Sequence, residues 1–265
     1  MKAGIDAGGS LIKIAYQENH QMHYKKFSIN ELDGAISWVK IMAPNVTAAL
    51  TGGKAHMIQK KYFPNGTIIP EFQATCEGAR IFLGEEGKKL QDPFLLVNIG
   101  TGTSWHVVNG DTYERILGSG VGGGTFTGLG ALLTKEEDYH QLTILANKGE
   151  KGNVDLLVRD IYESDQPPID GNLTAANFAK GTRVKHTDSD TLASLTNMIA
   201  ETVVLLTLQA GALHKINNVV YIGSTLIVNP SLRKNLELYT NMFGLSSTFL
   251  QTGEYCGAAG AYFSV

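Results

Sequence analysis

Short apolar segments separated by polar or glycine-rich turns fill the first third of the chain. An apolar run over residues 2–6 ends at Asp6, is followed by Ala7-Gly8-Gly9-Ser10, and leads into a second run over 11–16, which predicts two strands joined by a tight turn. The remaining elements predicted here are strands at 23–27, 46–50 and 67–72, and helices at 31–40 and 73–90.

The same pattern returns in the second part of the chain. Residues 94–98 are apolar up to Asn98, a turn at 99–103 contains Gly100 and Gly102, and a further apolar run follows. The other elements predicted are strands at 104–108, 112–117 and 218–222, and helices at 125–133, 139–147, 192–214 and 231–239, with a polar, broken region at 148–190. Mixed strands and helices predict the α/β class. The repeated hairpin predicts two similar lobes, residues 1–92 and 93–265.

Composition and charge narrow the classes of partner. The 265 residues are 43% hydrophobic and 18% charged, and the net charge of −3 gives no electrostatic reason to expect nucleic acid or an anionic membrane as a partner. The most apolar stretch, 198–213, is interrupted by Glu201 and Gln209 and indicates a buried helix. The N-terminus lacks the pattern of a signal peptide, and Cys76 and Cys256 have no neighbours at metal-ligand spacing, so a reducing, cytoplasmic setting is expected.

Glycine is enriched, with 30 residues, and its clusters suggest phosphate binding. The Walker pattern is absent, because Gly53-Lys54 is followed by Ala55. The pattern GxGxxG occurs at Gly118, but it does not open an early βαβ unit, which argues against a dinucleotide site.

The two repeated turns favour a phosphate cradle instead. Backbone N–H groups at 8–10 and at 100–103 are suited to surround phosphates. Asp6 beside such a turn is expected to hold Mg²⁺ through water, and Lys13 adds a positive charge. The loop that ends at Gly124 leads into a predicted helix whose first N–H groups are expected to face an anion. Gly223-Ser224, after a strand, is a candidate adenosine contact.

Phosphoryl transfer to an alcohol requires a carboxylate that accepts or orients the hydroxyl proton. Glu71, which follows Pro70 between an extended segment and a helix, is the favoured candidate. Asp6, Glu77 and Asp92 remain rivals.

The ordered set of these motifs resembles the type II pantothenate kinases found in staphylococci and bacilli, which are related to the eukaryotic enzymes. The resemblance covers nearly the whole chain. Its landmarks are GIDAGGSLIK (4–13), LTGG (50–53), Glu71-Phe72, NIGTGTS (98–104), Arg115, GGGTF (122–126), Gly128-Leu129 and YIGS (221–224). Ser10 stands where Thr is commoner in the family, and residues 117–120 differ in detail from relatives.

The resemblance implies an actin-like fold of two ribonuclease-H-like lobes with ATP in the cleft between them. It implies ATP-dependent phosphorylation of the primary hydroxyl of pantothenate, the first step of coenzyme A synthesis, with Mg²⁺ and in a homodimer. Glu71 matches the catalytic base, Ser104 and Arg115 match the pantothenate-binding residues, and Tyr239 is expected near the partner's substrate pocket. The ATP-binding positions matched are Asp6, Ala7, Gly8, Gly9, Ser10, Leu11, Ile12, Lys13, Thr101, Gly123, Gly124, Thr125, Phe126, Thr127, Tyr139 and Ser224.

Three other interpretations share the fold. A sugar or N-acetyl-sugar kinase often uses Asp as base, so Glu71 and Arg115 favour pantothenate. A non-metabolic actin-like or chaperone-like ATPase carries further subdomains and is usually longer than 265 residues. A type III pantothenate kinase has a different motif order, and the loop at 122–126 argues against it.

Overall fold

The computed structural model describes residues 1–88, 92–162 and 167–265. The strands of its first sheet are β1 (Lys2–Ala7), β2 (Leu11–Glu18), β3 (Gln21–Ser28), β4 (Thr47–Thr51) and β5 (Thr67–Ile68). Their order is β3-β2-β1-β4-β5, with β2 antiparallel to both β1 and β3, and with β4 and β5 parallel to β1. Helices α1 (Leu32–Met42) and α2 (Ala55–Tyr62) follow β3 and β4, and α3 (Glu71–Glu85) follows β5.

The second sheet repeats this topology. Strands β6 (Phe94–Ile99), β7 (Thr103–Asn109) and β8 (Thr112–Ser119) form an antiparallel meander, and α4 (Gly123–Thr134) and α5 (Tyr139–Ala146) follow it. A short ladder of β9 (Leu156–Leu157) and β10 (Thr174–Ala176), with α6 (Val158–Tyr162), precedes the long helix α7 (Asp188–His214). Strands β11 (Asn218–Ile222) and β12 (Ser246–Phe249), with α8 (Pro230–Met242) between them, are parallel to β6, and α9 (Cys256–Phe263) ends the fold.

Each sheet has helices on both faces, because side chains along a strand point alternately to opposite sides. In the first sheet Ala3 and Ile5 of β1 face α1 and α2, whereas Gly4 faces α9. In the second sheet Val97 and Tyr221 face the core formed with α4, α5, α7 and α8. The opposite faces of the two sheets meet the shared layer of α3 and α9.

Glycines let α3 and α9 approach closely between the sheets. A methyl group at Gly78 would lie 1.9 Å from the carbonyl oxygen of Cys256, and one at Gly260 would lie 1.8 Å from that of Ala74. Since non-bonded heavy atoms rest near 3.5 Å, side chains at these two positions would force the helices apart. The last helix of the chain is thereby fixed against α3 and the first sheet.

Helix α7 is the one helix among the described residues with the length and composition to cross a membrane. Two-thirds (67%) of its most apolar window is buried inside the fold, which is typical of the core helix that the sequence predicts over 192–214.

The α/β class and most predicted elements are confirmed, and the boundaries differ where proline intervenes. The strand expected over 67–72 ends at Ile68, because Pro70 has the extended conformation of a helix N-cap and α3 begins at Glu71. The helix expected over 73–90 ends at Glu85, and residues 89 and 90 lie outside the described residues. The broken region at 148–190 contains β9, β10 and α6. The lobe boundary at residue 92 stays a prediction.

Candidate active site

The two repeated turns meet at the centre of the molecule. In the first, the Gly8 amide donates to the Leu11 carbonyl over 3.0 Å, and in the second the Gly100 amide donates to the Gly102 carbonyl over 2.9 Å. The Ser10 and Thr101 hydroxyl oxygens lie 3.2 Å apart, so the turns touch directly. The sequence repeat therefore brings two glycine-rich turns to one place.

Helix α4 abuts the second turn. The amides of Gly123 and Gly124 donate to the carbonyls of Gly100 and Thr101, each over 2.8 Å. These two amides are therefore not free to bind an anion, and the expected anion contact of the later helix-terminal N–H groups stays a prediction. A methyl group at Gly123 would lie 2.4 Å from Thr225 Oγ1, so glycine here serves close packing of three segments.

A cavity of about 590 Å³ opens between these turns and the start of α4. Twelve of the sixteen predicted ATP-binding residues line this cavity or the adjoining one described below. The nucleotide-side cavity is lined by Ser10, Leu11, Lys26, Gly100, Thr101, Gly123, Gly124, Thr127, Gly128, Tyr139, Ser224, Thr225 and Val228. The Tyr139 hydroxyl donates to the Thr225 carbonyl over 2.9 Å, which fixes the ring at the wall of the cavity.

Four predicted ATP-binding residues lie behind the wall of the cleft. Ala7 and Ile12 are fully buried in the core of the first sheet. Phe126 is buried and packs edge-on against Tyr139. Thr125 donates its hydroxyl to the Gly120 carbonyl and so holds the loop before α4. These four support the residues that line the cleft.

A second cavity, of about 410 Å³, adjoins the first and shares Ser10, Leu11, Gly100, Thr101 and Ser224 with it. Its remaining lining combines the predicted catalytic and acceptor residues with several that the sequence did not single out. They are Asp6, Gly8, Gly9, Lys13, Glu71, Phe72, Asn98, Gly102, Thr103, Ser104, Arg115 and Ser119. The two cavities form one continuous cleft.

The carboxylates of Glu71 and Asp6 both line this second cavity and repel each other electrostatically. Burial raises the pKa of Glu71, the nearby Asp6 raises it further, and Arg115 and Lys13 act in the opposite direction. Burial also raises the pKa of Asp6, against the effect of Lys13, which pairs with it across the hairpin. A carboxylate with a raised pKa is a better proton acceptor at neutral pH than a solvated one.

Two of the rival carboxylates have structural partners outside the cavity. Glu77 accepts a hydrogen bond from the Tyr113 hydroxyl, and Asp92 accepts one from the Gly110 amide over 3.1 Å. Neither lines the cavity where Glu71 and Asp6 lie. The structure therefore favours Glu71 and Asp6 over these two rivals.

A β-bulge places Arg115 in the cleft. Ser104 pairs with Gly118 and Trp105 with Leu117, but the register then shifts so that His106 lies opposite Arg115. Without the shift Ile116 would face the cleft, and Arg115 would point to the buried side of the sheet. The guanidinium stacks 5.1 Å from the Phe72 ring centroid.

Gly118 makes room for the same side chain. A methyl group at Gly118 would lie 2.1 Å from Arg115 Nη2. The sequence analysis noted Gly118 only as part of a dinucleotide-like pattern, and no sequence signal assigned it to Arg115. The departure from relatives at 117–120 thus surrounds the acceptor side of the cleft.

Lys26, which lines the cleft, and His106, which lies behind its wall, are further residues of the site that the sequence analysis missed. His106 lies two positions after Ser104 on β7, hence on the same face, and its Nε2 is 3.0 Å from Ser104 Oγ. Lys26 lines the nucleotide-side cavity and forms an ion pair of 2.9 Å with Glu254. Alternation along the strand could have signalled His106, whereas the Lys26 pair joins residues far apart in sequence.

Tyr239 is buried within its own chain. Its hydroxyl donates to Asn197 Oδ1 over 2.5 Å and accepts from Lys151 Nζ over 2.8 Å. Its expected position near a partner's pocket stays a prediction.

Comparisons with known proteins identify relatives along the whole chain. The Fumble family matches residues 79–264. A type II pantothenate kinase of Oceanobacillus iheyensis is 41% identical over 264 residues, and one of Staphylococcus aureus strain USA300 is 38% identical over 268 residues, with 99% of each chain covered in both cases.

Solved structures resemble the fold at low sequence identity. The activator of the 2-hydroxyisocaproyl-CoA dehydratase from Clostridium difficile, with bound ADPNP, has a TM-score of 0.65 and 13% identity, covering 99% of this chain and 93% of that one. A ROK family glucokinase from Streptomyces griseus has a TM-score of 0.53 and 12% identity, covering 100% and 98%. These likenesses confirm the predicted fold of two sheet-containing lobes of the actin-like ATPase and sugar-kinase type.

Proposed function

The chain belongs to the type II pantothenate kinase family, and on that premise we propose that its cleft transfers the γ-phosphoryl group of ATP to the primary hydroxyl of pantothenate. Such transfer is the first step of coenzyme A biosynthesis. The observation that carries the proposal is the cleft formed by the two adjoining cavities, which brings the two phosphate-type turns together with Glu71 and Arg115.

Glu71 is the proposed base. It lies at the first residue of α3, in the cavity that also contains the turns at 8–10 and 100–102. In the proposed reaction its carboxylate accepts the proton of the pantothenate hydroxyl as the hydroxyl oxygen attacks the γ-phosphorus. The bond from that phosphorus to the β,γ-bridging oxygen breaks, and ADP leaves. The raised pKa keeps the carboxylate basic enough for this step near neutral pH.

The phosphates of ATP are proposed to lie between the two turns, with the adenosine toward Tyr139 and Ser224 in the nucleotide-side cavity. Lys13, which lines the adjoining cavity with Glu71, supplies positive charge beside the turn at 8–10. Asp6 suits Mg²⁺, because its carboxylate lines the cavity and accepts no hydrogen bond from the described residues. Magnesium bound there would neutralise charge on the phosphates.

Pantothenate is proposed to lie on the other side of Glu71, against Ser104 and Arg115. The Arg115 guanidinium lies against the Phe72 ring and beside Gly118, and Arg115 lines the cavity together with Ser104. Arginine suits oxygen acceptors because it presents several donors in a fixed plane.

We further infer a homodimer and a cytoplasmic location. Large apolar side chains are exposed on both α4 and α7, with Leu132 81% and Leu213 78% exposed, and a second copy of the chain is proposed to cover the exposed apolar side chains of α7. Both cysteines are buried and unpaired, which suits a reducing compartment. Light scattering should give twice the chain mass, and a monomer at micromolar concentration would contradict the dimer.

The deciding experiment measures ATP-dependent phosphorylation of pantothenate and a panel of sugars and N-acetyl sugars, with purified protein and Mg²⁺. We expect turnover of pantothenate and none of the sugars. Turnover of a sugar without pantothenate turnover would overturn the proposal. Omission of Mg²⁺, with chelator present, should abolish the rate and tests the metal separately.

A further inference from the structure

His106 is a buried titratable group that the proposed reaction steps do not use. Its side chain is 1% exposed, although it lies directly behind the acceptor side of the cleft. Its Nε2 is 3.0 Å from Ser104 Oγ, and its Nδ1 has no hydrogen-bond partner among the described residues. Its ring centroid lies 5.2 Å from that of Phe72. Within the described part of the chain, the only hydrogen-bonding contact of the ring is therefore with a predicted pantothenate-binding residue.

The unpartnered nitrogen decides which tautomer fits. If Nδ1 carried the proton, its buried N–H group would have no acceptor, and the Ser104 hydroxyl would have to donate its only hydrogen bond to Nε2. Buried backbone N–H groups without a partner are rarer than buried carbonyls without one. By the same rule, an unpaired acceptor at Nδ1 is preferred to an unpaired N–H donor there, which favours the proton on Nε2. His106 then donates to Ser104 Oγ, and the Ser104 hydrogen is free for another acceptor.

The charge state agrees with a fixed donor. Burial, together with the neighbouring Arg115, lowers the pKa of His106 to about 4. The ring is thus neutral above about pH 5, where its Nε2–H donates without adding a second positive charge beside Arg115.

We propose that His106 is a positioning residue: its Nε2–H bond to Ser104 Oγ turns the serine hydrogen into the cleft, where it donates to an oxygen of the bound pantothenate. This inference rests on the proposed function, since it assigns a role in holding that substrate. The face-sharing positions of Ser104 and His106 on β7 make the contact a property of the strand itself.

Two substitutions separate the N–H group from the ring. His106→Phe keeps an aromatic ring against Phe72 and removes the donor, whereas His106→Gln keeps an N–H donor near the Nε2 position and removes the ring. Loss of one neutral hydrogen bond predicts a roughly 3- to 10-fold rise in the KM for pantothenate in the Phe variant. We expect the Gln variant to stay within about 2-fold of wild type, with the KM for ATP unchanged in both. His56→Gln, at an exposed position on α2, is the matched control.

A double-mutant cycle tests whether His106 acts through Ser104. In a Ser104→Ala background, His106→Phe should change the KM for pantothenate by less than about 2-fold, because the hydroxyl to be positioned is gone. An effect as large as in the wild-type background overturns the proposal, and so does a Phe variant with unchanged KM beside an impaired Gln variant.

The outcomes distinguish this inference from the proposed function. A wild-type protein that does not phosphorylate pantothenate overturns both. The positioning role alone is overturned if wild-type protein phosphorylates pantothenate but the Phe variant has a lower Tm and equal rises in the KM for ATP and the KM for pantothenate. A purely structural ring would have that effect.

Discussion

Gly118→Ala offers a direct test of how the acceptor side of the cleft is built. The added methyl group would lie 2.1 Å from Arg115 Nη2, where about 3.5 Å is needed, so the guanidinium must retreat by roughly 1 to 1.5 Å. A hydrogen bond stretched by that amount is effectively lost. A hydrogen bond to a charged group contributes about 1.5–3 kcal/mol, so kcat/KM for pantothenate should fall roughly 10- to 150-fold.

The fold itself should tolerate the substitution. The group displaced is the far end of a flexible side chain, and the stack on Phe72 contributes only about 0.5–1 kcal/mol at a partly exposed site. The Tm and the KM for ATP should therefore remain close to wild type. Gly120→Ala is the matched control in the same loop, since nothing lies within 4 Å of a methyl group there.

Steady-state kinetics with pantothenate varied at saturating ATP, and the reverse, measures the effect. A Gly118→Ala protein with a wild-type Tm and the same kcat/KM for pantothenate as Gly120→Ala would refute the placement of Arg115 against the substrate. A loss shared equally by both variants would assign the effect to the loop backbone instead.

Four further predictions address the base, its effect on stability with pH, the metal and the packing of the helices. Glu71→Gln should lower kcat about 10²–10⁴-fold while ATP binding, measured by calorimetry, persists; a near-native rate would exclude Glu71 as base. Burial raises the folded-state pKa of Glu71, so the contribution of this residue to stability is present at pH values below its usual pKa and is lost as pH rises through the raised value. In thermal melts, Glu71→Gln should therefore have a higher Tm than wild type at pH 7.5, and the difference should shrink toward pH 4. Asp6→Asn should weaken the dependence of the rate on Mg²⁺ in a metal titration, and an unchanged titration would contradict its role as the metal site. Gly78→Ala should lower the free energy of unfolding by about 1–3 kcal/mol through overpacking. Gly84→Ala on the same helix, where nothing lies within 4 Å of the added methyl group, should raise it by up to about 1 kcal/mol. Chemical denaturation that found Gly78→Ala more stable than Gly84→Ala would contradict the close packing of α3 on α9.

Local patterns carried much of the fold into the sequence analysis. Strand β1, the turn after it and strand β2 follow from alternation and from two glycines, all within about fifteen residues of chain. Glu71 could be favoured because Pro70 marks the start of a helix, and a helix start near a phosphate site is a plausible place for a base. These features depend on neighbours in sequence, which a single chain displays.

The rest depends on register and on distant contacts. The register shift that puts Arg115 opposite His106 moves the Arg115 side chain to the other face of the sheet, and no residue type in the sequence indicates this shift. The helix was predicted to begin at residue 125, because a sequence does not show the carbonyls of Gly100 and Thr101 that bind the amides of Gly123 and Gly124 and start it earlier. The same limit explains why the return of α9 to the first sheet was not foreseen.

The matching strand orders of the two sheets give the two glycine-rich turns equivalent places in the fold. Asp6 and Asn98 occupy equivalent positions, each next to last in its strand and each before a glycine-rich turn, yet one is a carboxylate and the other a neutral amide. The two turns therefore repeat each other in backbone but not in charge, and only the first has an ionisable side chain at this position. We expect this difference, and not the shared strand order, to let bound ATP distinguish the two turns.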